Sequence, residues 1–230
     1  MMKYGESAFD IIYLVTAIVV GVLILKKAGN KTERSMGIAV LLLGCGDAFH
    51  LVPRVLNYFI DRDFTAALGV GKMITSITMT VFYVLVFRIG CTYDRMGEHK
   101  PLLPAVYAMA GIRIVLCLLP QNRWLTNDGD VLWAVLRNAP FIILGMLTVF
   151  VYYRNRLRSR YFRYVWLWIL LSFAFYIPVA IAAGVFPPLG MLMLPKTVCY
   201  LVLIFTFLKA VTSSESNEPA ETSRKTFSKP

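Results

Sequence analysis

Residues 36–60 read MGIAVLLLGCGDAFHLVPRVLNYFI. This run is longer than the about 20 apolar residues that carry an α-helix across a bilayer. Its apolar character is interrupted at Asp47, His50, Arg54 and Asn57, whose spacing of i, i+3, i+7 and i+10 puts them on one helix face. The segment therefore predicts a membrane-spanning helix with a polar stripe, and an all-α fold class for the chain.

Six further segments have a similar length and apolar character. The chain is 58% hydrophobic with a mean hydropathy of +0.64, whereas soluble domains average about 45–50% apolar residues. The seven predicted spans are 8–25, 36–60, 68–87, 101–119, 131–153, 164–185 and 189–208. Their short connections predict antiparallel neighbours. We therefore predict a polytopic membrane protein with a seven-helix transmembrane domain over residues 1–211.

The basic residues of the connections predict how the bundle is oriented. The N-terminus and the second, fourth and sixth connections carry three Lys and Arg residues, and the other connections with the C-terminal segment carry sixteen. Because basic loops remain in the cytoplasm, the N-terminus should lie outside, the C-terminus should be cytoplasmic, and the cell membrane is the predicted location. The net charge of +11 is then a feature of topology, and nucleic acid is not a predicted partner. Residues 212–230, with few large apolar side chains, are predicted to be a disordered tail.

Five different spans each carry one basic residue within the apolar core. A charge at the bilayer centre costs about 2.5–3.5 kcal/mol on insertion scales, so such residues usually have a function. Counting about 1.5 Å per residue from the middle of each span puts all five about 4–9 Å outside the midplane. These cations, which we predict to form one layer, are Arg54, Lys72, Arg113, Arg137 and Lys196.

Polar side chains at helical spacing adjoin this layer on four of the spans. The five cations face one carboxylate, Asp47, and one titratable histidine, His50. Because unpaired buried charge is costly and arginine fits carboxylate and phosphate groups, the missing partner should be negative. The predicted ligand-binding set is Arg54, Lys72, Arg113, Arg137, Asn138, Lys196, Asp47, His50, Thr75, Ser76 and Tyr200.

The predicted function is binding of a small anion or an anionic lipid headgroup in an outward-facing cavity, in a receptor, sensor or transporter. The lipid bilayer is a necessary partner, the cofactor is left open, and signalling would need a separate partner protein or a homo-oligomer. A structural interpretation competes with this function. Arg54 and Lys72 can extend to lipid headgroups, and Asp47 can pair with Lys196 or Arg113 simply to hold helices together.

A membrane-embedded lipid hydrolase is the second hypothesis. Asp47 and His50 lie at i and i+3 on one helix face, where they can act as a catalytic acid and base. Lipid amidases of the alkaline ceramidase type use several histidines around zinc, but this chain has only His50 and His99. The count excludes a three-histidine metal site, and no G-x-S-x-G motif is present.

A retinal protein is the third hypothesis. Seven spans with a lysine, Lys196, in the last span resemble the microbial rhodopsins in outline. The resemblance implies that Lys196 would carry the retinal. The third span has Lys72 and no acidic residue, so Asp47 of the second span would have to be the counterion.

Overall fold

The computed structural model describes residues 2–92, 100–126, 130–182 and 186–226. Within these ranges the chain folds into seven α-helices and three short 3-10 helices without any strand, so the all-α prediction is confirmed. The α-helices are α1 (Met2–Lys27), α2 (Lys31–Phe59), α3 (Thr65–Thr92), α4 (Leu103–Leu118), α5 (Val131–Arg154), α6 (Val165–Ala182) and α7 (Met193–Thr226). The 3-10 helices are Lys100–Leu102, Pro120–Asn122 and Pro187–Leu192. His99 of the predicted third connection lies outside the described residues.

Five of these helices, α1, α2, α3, α5 and α7, are long and apolar enough to cross a membrane. Helices α4 and α6 are apolar but shorter. Large apolar side chains such as Ile12, Val115 and Phe205 remain at least half exposed on the bundle surface. Extensive exposed apolar surface is typical of a protein that contacts lipid. The helices are therefore those of a multi-pass membrane protein.

The helices pack as a closed ring in chain order. Helix α1 contacts α2 and α7, α2 contacts α3, α3 contacts both α4 and α5, and α5, α6 and α7 follow in sequence. Helix α4 packs on α3 and α5, and it has no extensive contact with α1 among the described residues. Because helices consecutive in the chain run antiparallel, the N-terminus and the α2–α3, α4–α5 and α6–α7 connections share one end of the bundle.

A proline brings α2 and α3 close together near that end. Pro53 has no N–H for the carbonyl of Phe49 one turn earlier, so this carbonyl is left without its helical partner. A Cβ built on Gly71 of α3 would lie 2.1 Å from the Phe49 oxygen. Only glycine allows this approach, and small residues at helix contacts are a general feature of membrane bundles. The parts of α2 and α3 near this end of the bundle are thereby held at a fixed separation.

Polar caps define two of the helix starts. The Asn30 side chain accepts a hydrogen bond from the backbone of Glu33 at 2.9 Å, and this bond caps α2. Asp63, in the α2–α3 connection, accepts a hydrogen bond from the Thr65 backbone at 2.9 Å. Hydrogen bonds from the Thr65 side chain and backbone hold the pKa of Asp63 below its usual value. Both caps lie outside the apolar core of the bundle.

The C-terminal segment differs in one respect from the prediction of a disordered tail. Helix α7 continues through most of that segment and ends at Thr226, whereas residues 227–230 lie outside the described residues. The division into a membrane domain and a separate tail remains a prediction.

Candidate functional site

A cavity of about 330 Å³ lies inside the ring, at the end that contains the N-terminus. Ten of the eleven predicted ligand-binding residues line it, and the exception, Tyr200, packs behind one of them. The ten are Arg54, Lys72, Arg113, Arg137, Asn138, Lys196, Asp47, His50, Thr75 and Ser76. The structure thus brings together in one cavity five cations that come from five different helices. Their role in binding a ligand remains a prediction.

The prediction that Asp47 is the one carboxylate facing these cations is wrong. Asp10 of α1 also lines the cavity, and Glu6 of α1 forms an ion pair with Arg54. The physical reason is that α1 completes the ring between α2 and α7, so one of its faces is directed inward. Glu6, Asp10 and Tyr13 are spaced i, i+4 and i+7, and this helical spacing was a usable signal in the sequence.

Arg54 is held by protein groups. Its guanidinium pairs with the Glu6 carboxylate, which also accepts a hydrogen bond from the Tyr58 hydroxyl at 3.1 Å. Both partners of the ion pair are about one-fifth exposed. The charge of Arg54 is therefore neutralised by Glu6 of α1. Arg54 is a weaker candidate for contacting a ligand than the cations deeper in the cavity.

Asp47 and Lys196 form the centre of a second polar group. The Tyr13 hydroxyl donates a hydrogen bond of 2.7 Å to Asp47 Oδ2. Lys196 attracts Asp47 electrostatically, yet no salt bridge joins the two in the described ranges. Instead, Lys196 Nζ lies 5.0 Å from the ring centre of Tyr176 and 5.1 Å from that of Tyr200. These cation–π contacts hold the ammonium group beside the cavity.

Arg137 is positioned by the connection between α4 and α5, which the sequence interpretation did not use. Arg137 Nη1 donates to the Asn122 side-chain oxygen at 2.9 Å, and its guanidinium lies 4.6 Å from the Trp124 ring centre. Asn122 and Trp124 are themselves anchored by hydrogen bonds to carbonyls at the end of α4, including that of Cys117. A prediction based on the apolar spans alone missed this connection, although a tryptophan, Trp124, in a short connection between spans was a usable signal in the sequence.

Asn138 is fixed by hydrogen bonds on both sides of its amide. Its nitrogen donates to the Ala134 carbonyl at 2.8 Å, and its oxygen accepts from the Tyr176 hydroxyl at 2.7 Å. These bonds connect α5 to α6. Asn138 therefore supports the cavity wall, with its own hydrogen-bonding capacity largely used.

Arg113 is the least satisfied charge of the site. Its side chain is only 1% exposed and lies with its guanidinium carbon 3.3 Å from the Phe141 ring centre. Its Nε and Nη1 atoms have no hydrogen-bond partner among the described protein groups, and no carboxylate forms a salt bridge with it there. A buried guanidinium that lines a cavity and lacks a protein counter-charge is what an anion site requires.

Aromatic side chains close the inner end of the cavity. Tyr83 is fully buried, and its ring packs edge-on against Phe141 at 5.2 Å and tilted against Phe173 at 5.2 Å. Phe82 joins the same cluster and contacts Tyr200 at 6.1 Å. Phe82, Tyr83, Phe141 and Tyr200 each lie one or more turns inward from the cation on their own helix. These rings separate the cavity from the opposite half of the bundle.

The groups needed for the alternative chemistries are also in this cavity. His50 lines it with Nδ1 unpartnered, while Asp47 is bonded to Tyr13. Within the described residues no group of three or more His, Cys, Asp or Glu side chains is arranged to hold a metal ion. The Asp47–His50 catalytic pair and the attachment of retinal to Lys196 both remain predictions. No protein-family model, curated protein or solved structure matches this chain.

Proposed function

We propose that the chain is a seven-span membrane protein whose cavity binds a small anion or an anionic lipid headgroup from the outer side. Such a protein works as a receptor, a sensor or a transporter. The observation that carries the proposal is Arg113, a buried cation that lines the cavity without a protein counter-charge. The cell membrane is the proposed location.

The lengths of the two shorter helices are compatible with seven spans. Helix α4 has 16 residues, or about 24 Å of helix. The three residues of the 3-10 helix Lys100–Leu102 before it add about 6 Å. The total matches the about 30 Å of a bilayer core. Helix α6, with 18 residues, reaches about 27 Å.

The distribution of basic residues supports an outer cavity. The cavity is at the end with the N-terminus and the three connections that carry few Lys and Arg residues. The opposite end carries the Arg-rich run RNRLRSRYFR, residues 154–163. Because such runs remain on the cytoplasmic side, the cavity end should be outside.

The charges that line the cavity favour an anion even after the carboxylates of α1 are included. Five cations face Glu6, Asp10 and Asp47, which leaves an excess of two positive charges when all groups are ionised. Arg113, Arg137 and Lys196 come from three helices and all line the cavity. Such an arrangement surrounds a tetrahedral phosphate better than it surrounds a neutral ligand. The volume of about 330 Å³ is at the lower end of the about 300–1,000 Å³ of ligand pockets.

Thermal unfolding of the purified protein in detergent tests this proposal. The probes are inorganic phosphate, acetate and a short-chain phosphatidic acid, applied to the wild type and to Arg137→Ala. A ligand at about 100 times its Kd stabilises the folded state by about 2.7 kcal/mol, which raises the Tm of a chain of this size by about 5–11 °C.

Arg62→Ala is the matched control, because Arg62 is an exposed basic residue at the same end that does not line the cavity. We expect the anion-dependent rise in Tm in the wild type and in Arg62→Ala, and a much smaller rise in Arg137→Ala. A wild-type Tm that no probe raises would overturn the proposal. An equal rise in all three proteins would remove the cavity as the binding site.

A further inference from the structure

Two aspartates and two arginines line opposite walls of the cavity, whereas its remaining cations, Arg54, Lys72 and Lys196, come from α2, α3 and α7. Asp10 of α1 and Asp47 of α2 line one side of the ring, and Arg113 of α4 and Arg137 of α5 line the other. Helices α1 and α4 are separated in the ring by α2 and α3, and the described residues show no extensive contact between them. The acidic pair and the arginine pair therefore face one another across the space instead of neutralising each other directly.

Each wall contains one buried charge whose hydrogen-bonding capacity is not used. Asp10 is 4% exposed and its Oδ2 has no hydrogen-bond partner among the described groups. On the other wall, Arg113 is 1% exposed with Nε and Nη1 unpartnered. Leaving such groups unpaired is costly, so an occupant that satisfies both is favoured over one that satisfies only one.

The neighbours of Asp10 explain why its Oδ2 atom has no hydrogen-bond partner among the described groups. Tyr13, one turn away, donates its hydroxyl to Asp47 and not to Asp10. Lys196 is directed to the aromatic rings of Tyr176 and Tyr200 and attracts Asp47 electrostatically. Asp10 forms no salt bridge with any cation in the described part of the chain, and a bare anion in the cavity would add repulsion to this side. A ligand with a positive group there would remove both penalties.

We propose, building on the anion-binding function above, that the ligand is a zwitterion that pairs an anionic group with a nearby ammonium group. The anionic group binds Arg113 and Arg137, and the ammonium group donates hydrogen bonds to Asp10 and approaches Asp47. A phosphoethanolamine group has this chemistry, either as a free small molecule or as the headgroup of a lipid. The apolar ring of Phe141, which lines the cavity beside Arg113, covers the short linker.

Calorimetric titration of the wild-type protein in detergent compares two matched probes. Phosphoethanolamine and ethyl phosphate have the same phosphate and a similar size, and only the first has an ammonium group. We expect phosphoethanolamine to bind about tenfold or more tightly, because a charge-assisted hydrogen bond contributes at least this factor. A second pair of probes, short-chain phosphatidylethanolamine and short-chain phosphatidic acid, tests whether the ligand is a lipid headgroup. If phosphatidylethanolamine binds more tightly than free phosphoethanolamine, the ligand is a lipid, and the reverse order indicates a free small molecule.

The variant Asp10→Asn keeps the shape of the side chain and removes its charge. We expect it to reduce the preference for phosphoethanolamine to about twofold or less, because hydrogen bonding to a neutral amide oxygen is weaker. Ethyl phosphate should bind at least as tightly as it binds the wild type, because the repulsion from the Asp10 carboxylate is removed. Asp61→Asn is the control, since Asp61 is exposed at the same end and does not line the cavity. It should keep the full preference.

Three results would overturn the inference. If ethyl phosphate binds the wild type as tightly as phosphoethanolamine, the zwitterion is wrong while the anion site stands. If neither probe binds, the zwitterion and the proposed function both fail. If Asp10→Asn retains the full preference, Asp10 is not the acceptor. If Asp10→Asn fails to fold, the comparison of phosphoethanolamine with ethyl phosphate on the wild-type protein still decides the class of ligand.

Discussion

Replacing Arg113 by methionine should stabilise the empty protein and abolish anion binding. Methionine has nearly the length of the arginine stem and no charge, so the variant removes the guanidinium while filling most of its space. Arg113 is 1% exposed and its only close aromatic contact of this kind is with Phe141 at 3.3 Å. A residue kept for packing would behave in the opposite way.

The magnitude follows from the unpartnered atoms of Arg113. Two buried donors, Nε and Nη1, lack protein partners, and each such donor costs about 1–3 kcal/mol. The cation–π contact with the Phe141 ring offsets about 2 kcal/mol of that cost. A net gain centred on about 2 kcal/mol remains for the methionine variant, which corresponds to a Tm higher by about 4–8 °C for a chain of this length.

The assay is thermal unfolding in detergent, first in buffer without phosphate and then with increasing phosphate. We expect Arg113→Met to have the higher Tm without phosphate and the wild type to approach or exceed it as phosphate is added. Arg88→Met is the control, because Arg88 is exposed at the opposite end of α3. Its Tm should change by no more than the about 0.5 kcal/mol typical of surface substitutions.

A lower Tm for Arg113→Met in buffer without phosphate would refute the reasoning. It would mean that the guanidinium contributes more through its contact with Phe141 than it loses through burial. A higher Tm combined with an unchanged response to phosphate would show that Arg113 destabilises the empty protein but does not bind the anion. In that case Arg113 would be a strained residue outside the anion site.

Three further predictions concern the walls of the cavity and one of its loops. A Cβ on Gly69 would lie 1.5 Å from the Trp124 carbonyl oxygen, so Gly69→Ala should cost about 1–3 kcal/mol through overpacking and lower the Tm in detergent. Tyr13→Phe removes the hydrogen bond to Asp47 and should cost about 1 kcal/mol, seen as a Tm lower by about 2–4 °C. Because its pKa is lowered by folding, Asp63 stabilises the protein above the unfolded pKa of 3.8. Asp63→Ala should therefore lower the Tm at pH 7, and the difference should vanish as the pH falls through the lowered pKa.

Each of these predictions has its own control and contrary outcome. Gly111 of α4 has open space around a built Cβ, so Gly111→Ala should gain up to about 1 kcal/mol from helix propensity. A Gly69→Ala variant as stable as Gly111→Ala would contradict the close contact with Trp124. An unchanged Tm for Tyr13→Phe would show that Asp47 has another donor. A stability loss in Asp63→Ala that is the same at pH 3 and pH 7 would exclude the carboxylate as its source.

The all-α class and the positions of the helices could be predicted because they depend on local properties. The span predicted at 131–153 is α5, Val131–Arg154, and α2, Lys31–Phe59, contains the span predicted at 36–60 except for its last residue. An uninterrupted apolar run of about 20 residues allows only a helix in a bilayer, whatever its neighbours. The shared depth of the five cations was predictable for the same reason, since depth depends only on the rise per residue.

The contents of the cavity depended on how the helices meet. Glu6 lies far in sequence from Arg54, with which it pairs, and Asp10 lies far from the other side chains that line the cavity. No local pattern in the chain predicts that α1 closes the ring beside α7. Counting charges along the spans therefore found five cations and one carboxylate, and it missed that Glu6 neutralises Arg54.

The amino-acid sequence by itself determined that this chain is a bundle of apolar, membrane-type helices with one basic residue in each of five predicted spans. Only the tertiary structure decided which of those charges are already paired, and that Asp10 and Arg113 are left unpaired on opposite walls. The physical reason is that burial and depth are properties of one helix, whereas the partner of a charge is a property of the contact between two.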